Sequence, residues 1–300
     1  MTPARPLEIT DLLWSVGADG TSQPVSKAGV LDQLRALGQR RAAKIVSAMP
    51  AADGFLDPGY VDALGFRVHC ELQRLGEELQ FARRVAAWLG PIAEGVRQGG
   101  GMRQRGGMRQ RGGTVRVVDV GCGLGFVVRA MAASNALGPD VELVGIDLNP
   151  VLVDQASRLA KQEGLTCRFE QGDAFMPGGA IGDGTRAVVI SSGFLHHLPE
   201  SGLAEFFAAQ ARLGVAAFAH WDIAPCLWST LGAWVFHYAR MREAVSRHDG
   251  VLSARRAYPA ATLQKAAQLG APGYDVQVPE GSRWHARALD VLRPVVGIRT

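Results

Sequence analysis

Residues 115–130 read VRVVDVGCGLGFVVRA. The run Val115 to Val120 is rich in β-branched residues, as a strand buried on both faces requires. Three glycines follow at alternate positions, Gly121, Gly123 and Gly125, and an apolar helical pattern opens at Phe126. Strand, glycine turn and helix start form an entry suited to anions and nucleotides. Glycines let the backbone approach a ligand, and a helix N-terminus offers unpaired N–H groups. The spacing is Asp-x-Gly-x-Gly-x-Gly, with Asp119 two positions ahead of the first glycine. Dinucleotide folds carry Gly-x-Gly-x-x-Gly instead. The difference points away from a pyrophosphate and towards a cofactor without phosphate, such as an amino acid joined to a nucleoside.

Further elements follow in register. Val141 to Ile146 reads as a second strand ending at Asp147, an acidic residue placed to accept two hydrogen bonds from ribose hydroxyls. A helical run, Val151 to Glu163, leads to a third strand, Cys167 to Gln171, and then to Gly172-Asp173-Ala174-Phe175. Ala187 to Ser191 is a fourth strand, followed by Phe194-Leu195-His196-His197-Leu198. In this order the motifs resemble the class I S-adenosylmethionine-dependent methyltransferases, of the small-molecule type with an N-terminal helical domain.

The resemblance implies an α/β fold, a Rossmann-like seven-stranded sheet with helices on both faces, plus an all-helical N-terminal domain. It implies S-adenosylmethionine as cofactor. Gly121 and Gly123 then lie against its methionine portion, and Asp119 orders the loop or faces the ammonium. Asp147 holds the ribose, Asp173 and the Ala174 backbone meet the adenine, and Phe175 or Leu148 packs on the ring. Cys122 and Ser192 complete the implied cofactor-binding set. For Asp119 a plain loop brace, and for Asp173 a turn residue, are the structural alternatives.

The 300-residue chain is 47% hydrophobic, enough for one large domain with a smaller one beside it. Its formal charge of +4 is too modest on this length to imply nucleic-acid binding. Cys70, Cys122, Cys167 and Cys226 are scattered without pairing or metal spacing, which suits reduced thiols in a cytoplasmic protein. The N-terminus lacks a signal-type apolar core, and no apolar run is long enough for a membrane span.

Residues 1–98 read as a helical lid or dimerisation domain. Leu31, Leu34, Leu37, Ala42 and Ile45 fall on one helical face, and Asp57-Pro58-Gly59 starts a new helix. Val61, Leu64, Val68, Leu72, Leu75 and Leu79 then recur at steps of three and four. Phe81, Val85, Trp88 and Leu89 continue the pattern until Gly90-Pro91, which interrupts it. Residues 99–113 hold a tandem Gly-Gly-Met-Arg-Gln-Arg and read as a flexible linker. Its arginines lack the aromatic partners that stack on RNA bases.

Residues 114–300 form the cofactor domain. A helix spans Pro199 to Arg212 and a fifth strand Val215 to Ala219, ending at His220-Trp221-Asp222. A helical insertion, about 225–248, carries aromatic residues that line a hydrophobic acceptor cavity or pack as core. A helix over Pro259 to Leu269 and strands at Tyr274 to Val278 and Val295 to Ile298 close the chain; in the family these strands form an antiparallel edge. The stretch from Arg247 to Tyr258 loosely resembles bacterial methyltransferases acting on phenolic or polyketide-type metabolites.

A sulfonium methyl is already activated, so alignment supplies much of the rate effect. A hydroxyl acceptor also benefits from a base. His196, His197, His220 and Asp222, at the ends of the fourth and fifth strands, are the candidate catalytic residues. His237 and His248 are secondary candidates, and His69 and His285 read as surface or packing residues. No metal site is expected, because no pair among His196, His197, His220 and Asp222 has helical ligand spacing. The expected function is methyl transfer to a small hydrophobic metabolite in a secondary-metabolism setting. Oxygen is the first choice of acceptor atom, with nitrogen or carbon left open, since the glycine and aspartate motifs do not select it. An RNA or protein methyltransferase and a non-catalytic binding protein are the rivals. A homodimer would suit the helical N-terminal region.

Overall fold

The computed structural model describes residues 5–17, 19–99, 113–182, 186–225, 235, 238–279 and 292–300. The Gly/Arg repeat at 100–112, His237, His285 and most of the aromatic insertion lie outside the described residues.

After a 3-10 turn at Thr10–Leu12, the helical region comprises α1 (Lys27–Ala36), α2 (Arg40–Ser47), α3 (Pro58–Glu78) and α4 (Phe81–Arg97). A two-residue hairpin, β1 (Ala51–Ala52) and β2 (Phe55–Leu56), sits between α2 and α3. The stretch read as one helical face from Leu31 to Ile45 is two helices. Gly38 takes a φ of +69° between them, which ends α1 and turns the chain. Conversely, α4 runs straight through Pro91. Pro91 and Ala87, whose carbonyl loses its partner, both face solvent, while Phe81, Val85, Leu89, Ala93 and Val96 continue the buried stripe. The apolar packing outweighs the missing bond, a cost of about 3 kcal/mol.

The sheet then assembles from β3 (Val115–Val120), α5 (Phe126–Ser134), β4 (Val141–Asp147), α6 (Pro150–Gln162), β5 (Arg168–Gln171), α7 (Gly178–Ile181), β6 (Ala187–Ser192), α8 (Glu200–Arg212) and β7 (Ala217–Ile223). The last elements are α9 (Ala244–Arg256), α10 (Ala260–Gly270), β8 (Tyr274–Gln277) and β9 (Leu292–Arg299). Strand order is β5-β4-β3-β6-β7-β9-β8. The pairs from β5 to β7 are parallel, and β9 runs antiparallel to both β7 and β8. This is the Rossmann-like seven-stranded fold that the motifs imply, with an N-terminal helical region.

One apolar core lies between the sheet and α8 with α10, around Phe206, Phe207 and Phe218. A second lies on the opposite face under α4 and α5, around Leu89, Met131 and Trp221. A third holds α1, α2 and α3 together and includes Val245 of α9. Helix α9 replaces part of the expected insertion. Its buried residues include Ser246, Asp249, Ser253 and Arg256, so it shows no apolar period to find in the sequence. Among the described residues, no helix is long and apolar enough to cross a membrane. Cys70, Cys122 and Cys167 are free.

Chain order reverses at β3, which pairs with β4 on one side and β6 on the other. The crevice beyond the strand ends at such a switch point is where open α/β sheets bind ligands.

Candidate active site

The turn after β3 has Gly121 at φ +68° and Gly123 at φ +55°. A side chain is barred at both. A Cβ on Gly121 would come 2.7 Å from the Phe194 ring, and one on Gly123 would come 2.6 Å from the His69 ring. The loop is tied to the next strand end, because the Gly123 N–H donates to Asp147 Oδ2 at 2.9 Å and the Asn149 N–H to Oδ1 at 2.9 Å. Asn149 in turn caps α6 by accepting from Val151 N–H.

Asp119 is 1% exposed, and its Oδ1 has no hydrogen-bond partner among the described residues. Burial, and next the Asp147 charge, push its carboxyl up to about 8. Burial likewise holds the Cys122 thiol protonated, well above its ordinary value. Asp173 accepts from the Phe175 N–H at 2.8 Å, which closes the turn after β5 and leaves its second oxygen unused by that bond. Phe175 packs edge-on to Phe206, Ala174 packs on the same core, and Leu148 is 53% exposed at the β4 end. Ser192 is partly buried at the end of β6, and the next residue, Gly193, donates to the Trp221 carbonyl.

The expected proton-transfer residues occupy two environments. His220 lies inside the sheet layer with no exposure. Its Nε2 meets Gln210 Oε1 at 3.1 Å and its Nδ1 meets Ser191 Oγ at 2.9 Å. Gln210 Oε1 can only accept, so the proton is on Nε2 and the serine hydroxyl donates to Nδ1. Burial lowers this ring to about 3, so it stays neutral. His196, 3% exposed, sets its Nδ1 2.7 Å from Asp222 Oδ1, while its backbone N–H donates to Oδ2 at 2.6 Å. His197 sets its Nδ1 2.6 Å from Asp11 Oδ1. Burial works to raise Asp11, but its bond to His197 and the nearby positive charges prevail and take it down to about 2. His248 pairs with Asp249 at 2.7 Å.

Three participants come from the N-terminal region, expected from the sequence to be a lid or dimerisation domain. Asp249 holds residues 9 and 10 by accepting from Ile9 N–H at 3.0 Å and Thr10 N–H at 2.9 Å. Asp11 and Glu8 thereby reach the histidine pair. The third is His69, which the sequence reading left as surface or packing. Helix α3 rests on the loop through Gly76, where a Cβ would come 2.5 Å from Phe126, and through Arg129, which donates to Gln73 Oε1 at 2.7 Å. That contact places His69 over Gly123. His69 Nδ1 is 2.8 Å from the Gly65 carbonyl oxygen. A carbonyl only accepts, so Nδ1 carries the proton and Nε2 keeps its lone pair. Burial lowers this ring below its ordinary value. In the sequence His69 stands beside Val68 on an amphipathic helix, and nothing there separates it from a flank residue.

Residues 117–214 match the family model described as "Methyltransferase domain". The chain carries a methyltransferase domain. S-adenosylmethionine is the cofactor that the sequence motifs imply. No curated protein matches the chain. Among solved structures, a Synechocystis magnesium protoporphyrin IX methyltransferase with bound SAH shares 19% identity, with 91% of this chain and all of that one covered, at a TM-score of 0.47. A methyltransferase from Aquifex aeolicus shares 17% over 63% of this chain and 84% of its own, at 0.42.

The residues around the loop of the methyltransferase domain fit the cofactor. The orphaned Asp119 oxygen offers an acceptor for an ammonium, Asp147 offers charged acceptors at the β4 end, and two glycines keep the floor free of side chains.

Proposed function

We propose that the chain methylates an oxygen of a small hydrophobic acceptor, of phenolic or polyketide type, with His69 as the base. The observation that carries the reading is the fixed tautomer of His69. Its Nδ1–H is engaged by the Gly65 carbonyl, and its unprotonated Nε2 lies against the Gly123 loop. S-adenosylmethionine, when bound, supplies an activated methyl group. The chain's own residues do the rest. Asp119 and Asp147 orient the cofactor, with Asp173, Ala174, Phe175 and Leu148 around its base. His69 Nε2 takes the hydroxyl proton of the acceptor, and a ring lowered by burial is neutral and ready for this at pH 7. Phe194 and Trp14, whose ring lies 6.3 Å from that of His69, supply apolar walls.

In this reading the His196–Asp222 and His197–Asp11 pairs shape the acceptor side, and His220 braces the sheet. The N-terminal region covers the crevice from Glu8 near β6 to Gly20, whose carbonyl accepts from Gln171 at the end of β5. A covered crevice suits a small molecule better than a nucleic acid or a folded protein. The test is incubation with S-adenosylmethionine and a panel of phenols and polyketide-type hydroxyls, read by mass spectrometry. An O-methyl product is expected. Methylation confined to RNA or protein, or binding of S-adenosylhomocysteine without product formation on any acceptor, would overturn the reading.

A further inference from the structure

Glu8, His196 and His197 converge on one point between the N-terminal segment and the end of β6. Their ligand atoms all lie within 4.8 Å of one another. Glu8 and His196 are 3% exposed, and His197 is partly buried. His196 Nε2 lies 3.7 Å from Glu8 Oε1, and His197 Nε2 lies 3.9 Å from Glu8 Oε2.

The tautomers decide what this arrangement is. Each histidine engages a carboxylate through Nδ1, His196 with Asp222 and His197 with Asp11. A carboxylate accepts, so in the neutral form of each ring Nδ1 carries the proton and Nε2 is a lone pair. Two nitrogen lone pairs and a carboxylate therefore face one another in a buried space. Such facing acceptors repel unless a proton or a cation sits among them. The separations of 3.7 and 3.9 Å exceed a direct hydrogen bond. They leave room for an ion.

We propose that Glu8, His196 and His197 bind a divalent metal ion of the zinc class through Oε, Nε2 and Nε2. Two imidazoles and one carboxylate are a familiar first-row donor set with a fourth position left open. Zinc ligands at about 2.0–2.1 Å in tetrahedral geometry stand roughly 3.3 Å apart. The donor atoms lie within 4.8 Å of one another, so closing on an ion takes side-chain shifts of up to about an ångström. The supporting groups are already in place, since the Asp222 and Asp11 carboxylates orient the two rings as outer partners of metal-bound histidines do. Ser253 Oγ donates to Glu8 Oε1 at 3.0 Å and fixes the third ligand.

Charge agrees. The cluster sets the carboxylates of Glu8, Asp11, Asp222 and Asp249 around the guanidiniums of Arg5 and Arg256. Burial pushes Glu8 up to about 7, and a cation beside it would favour its carboxylate form. Arg256 Nη1 is 3.3 Å from Glu8 Oε1, so Oε2 is the oxygen freer to ligate. The ion would pin the segment around Glu8 to the end of β6. The site was invisible in the sequence because Glu8 has no spacing relation to the histidines. The inference is independent of the methyl-transfer reading.

The test uses the full chain stripped with chelator and titrated with zinc by calorimetry, and with cobalt by visible absorption. One equivalent bound, with cobalt d–d bands and no thiolate charge-transfer band, is the expected result. Glu8→Gln and His197→Asn should each weaken zinc roughly 100-fold or more, and Asp11→Asn roughly 10–100-fold. Far-ultraviolet circular dichroism checks that each variant is folded. If Glu8→Gln fails to fold, the cobalt spectrum of the unaltered chain decides, because nitrogen and oxygen ligation without thiolate is required. No stoichiometric binding, thiolate bands, or unchanged affinity in folded Glu8→Gln and His197→Asn would overturn the proposal.

Discussion

The Gly123 N–H donates to Asp147 Oδ2 at 2.9 Å, so the carboxylate at the β4 end also holds the glycine loop in shape. Loop geometry and the proposed ribose recognition thus share one side chain. Hydrogen bonds to charged groups contribute about 1.5–3 kcal/mol each. Asp147→Ala should lower S-adenosylhomocysteine affinity by roughly 2–4 kcal/mol. Calorimetry on folded protein checks this, and unchanged affinity would remove Asp147 from the cofactor site.

Asp119 supplies a proton-linked effect. Its folded value of about 8 stands above the ordinary 3.8. The protonated form is the one the fold favours, so its contribution to stability is complete below about 3.8 and is lost as pH rises through about 8. The loss is at most about 1.4 kcal/mol per pH unit. An arriving ammonium favours the carboxylate instead, so cofactor binding at pH 7 should release a proton. Calorimetry in buffers of different ionisation enthalpy reads that proton directly. Asp119→Asn should abolish the release and flatten the loss of stability with pH.

His69→Gln should lower kcat by about 10²–10⁴-fold if His69 is the base. The defect should shrink as the acceptor phenol becomes more acidic, because such a phenol ionises without help. A merely packing role for His69 would give a defect indifferent to acceptor acidity. The slope against acceptor pKa separates the two.

Gly125→Ala tests the turn itself. The residue sits at φ +68°, and an added Cβ would lie 2.2 Å from the Phe169 ring. Strain and overpacking of this kind cost about 1–3 kcal/mol each. A clear drop in Tm is expected, and an unchanged Tm would mean that the loop and Phe169 can separate freely.

The strands β3, β4 and β6 were legible because β-branched runs end at glycine or aspartate, and those ends define the crevice. Helix α3 was legible as a helix but not in its facing. Leu72, which the apolar period places inside, is 45% exposed, while Glu71 is 6% exposed. Glu71 Oε1 accepts from the Arg242 N–H at 2.6 Å, so a polar contact to the chain before α9 sets the rotation of that half-helix. The same turn of the helix delivers His69 to the loop. Contacts such as Asp11 with His197 join distant parts of the chain through polar atoms, and periodicity carries no trace of them. Helix α9 went unread for that reason too.

The anchoring of Ile9 and Thr10 by Asp249 sets an order of events during synthesis. A segment made well before α9 docks on that helix, and Arg5 and Arg256 meet there as well. Until α9 has been made, the sheet can form around β3 while the crevice stays uncovered. Residues 9 and 10 can therefore reach this docked position only once α9 has been made.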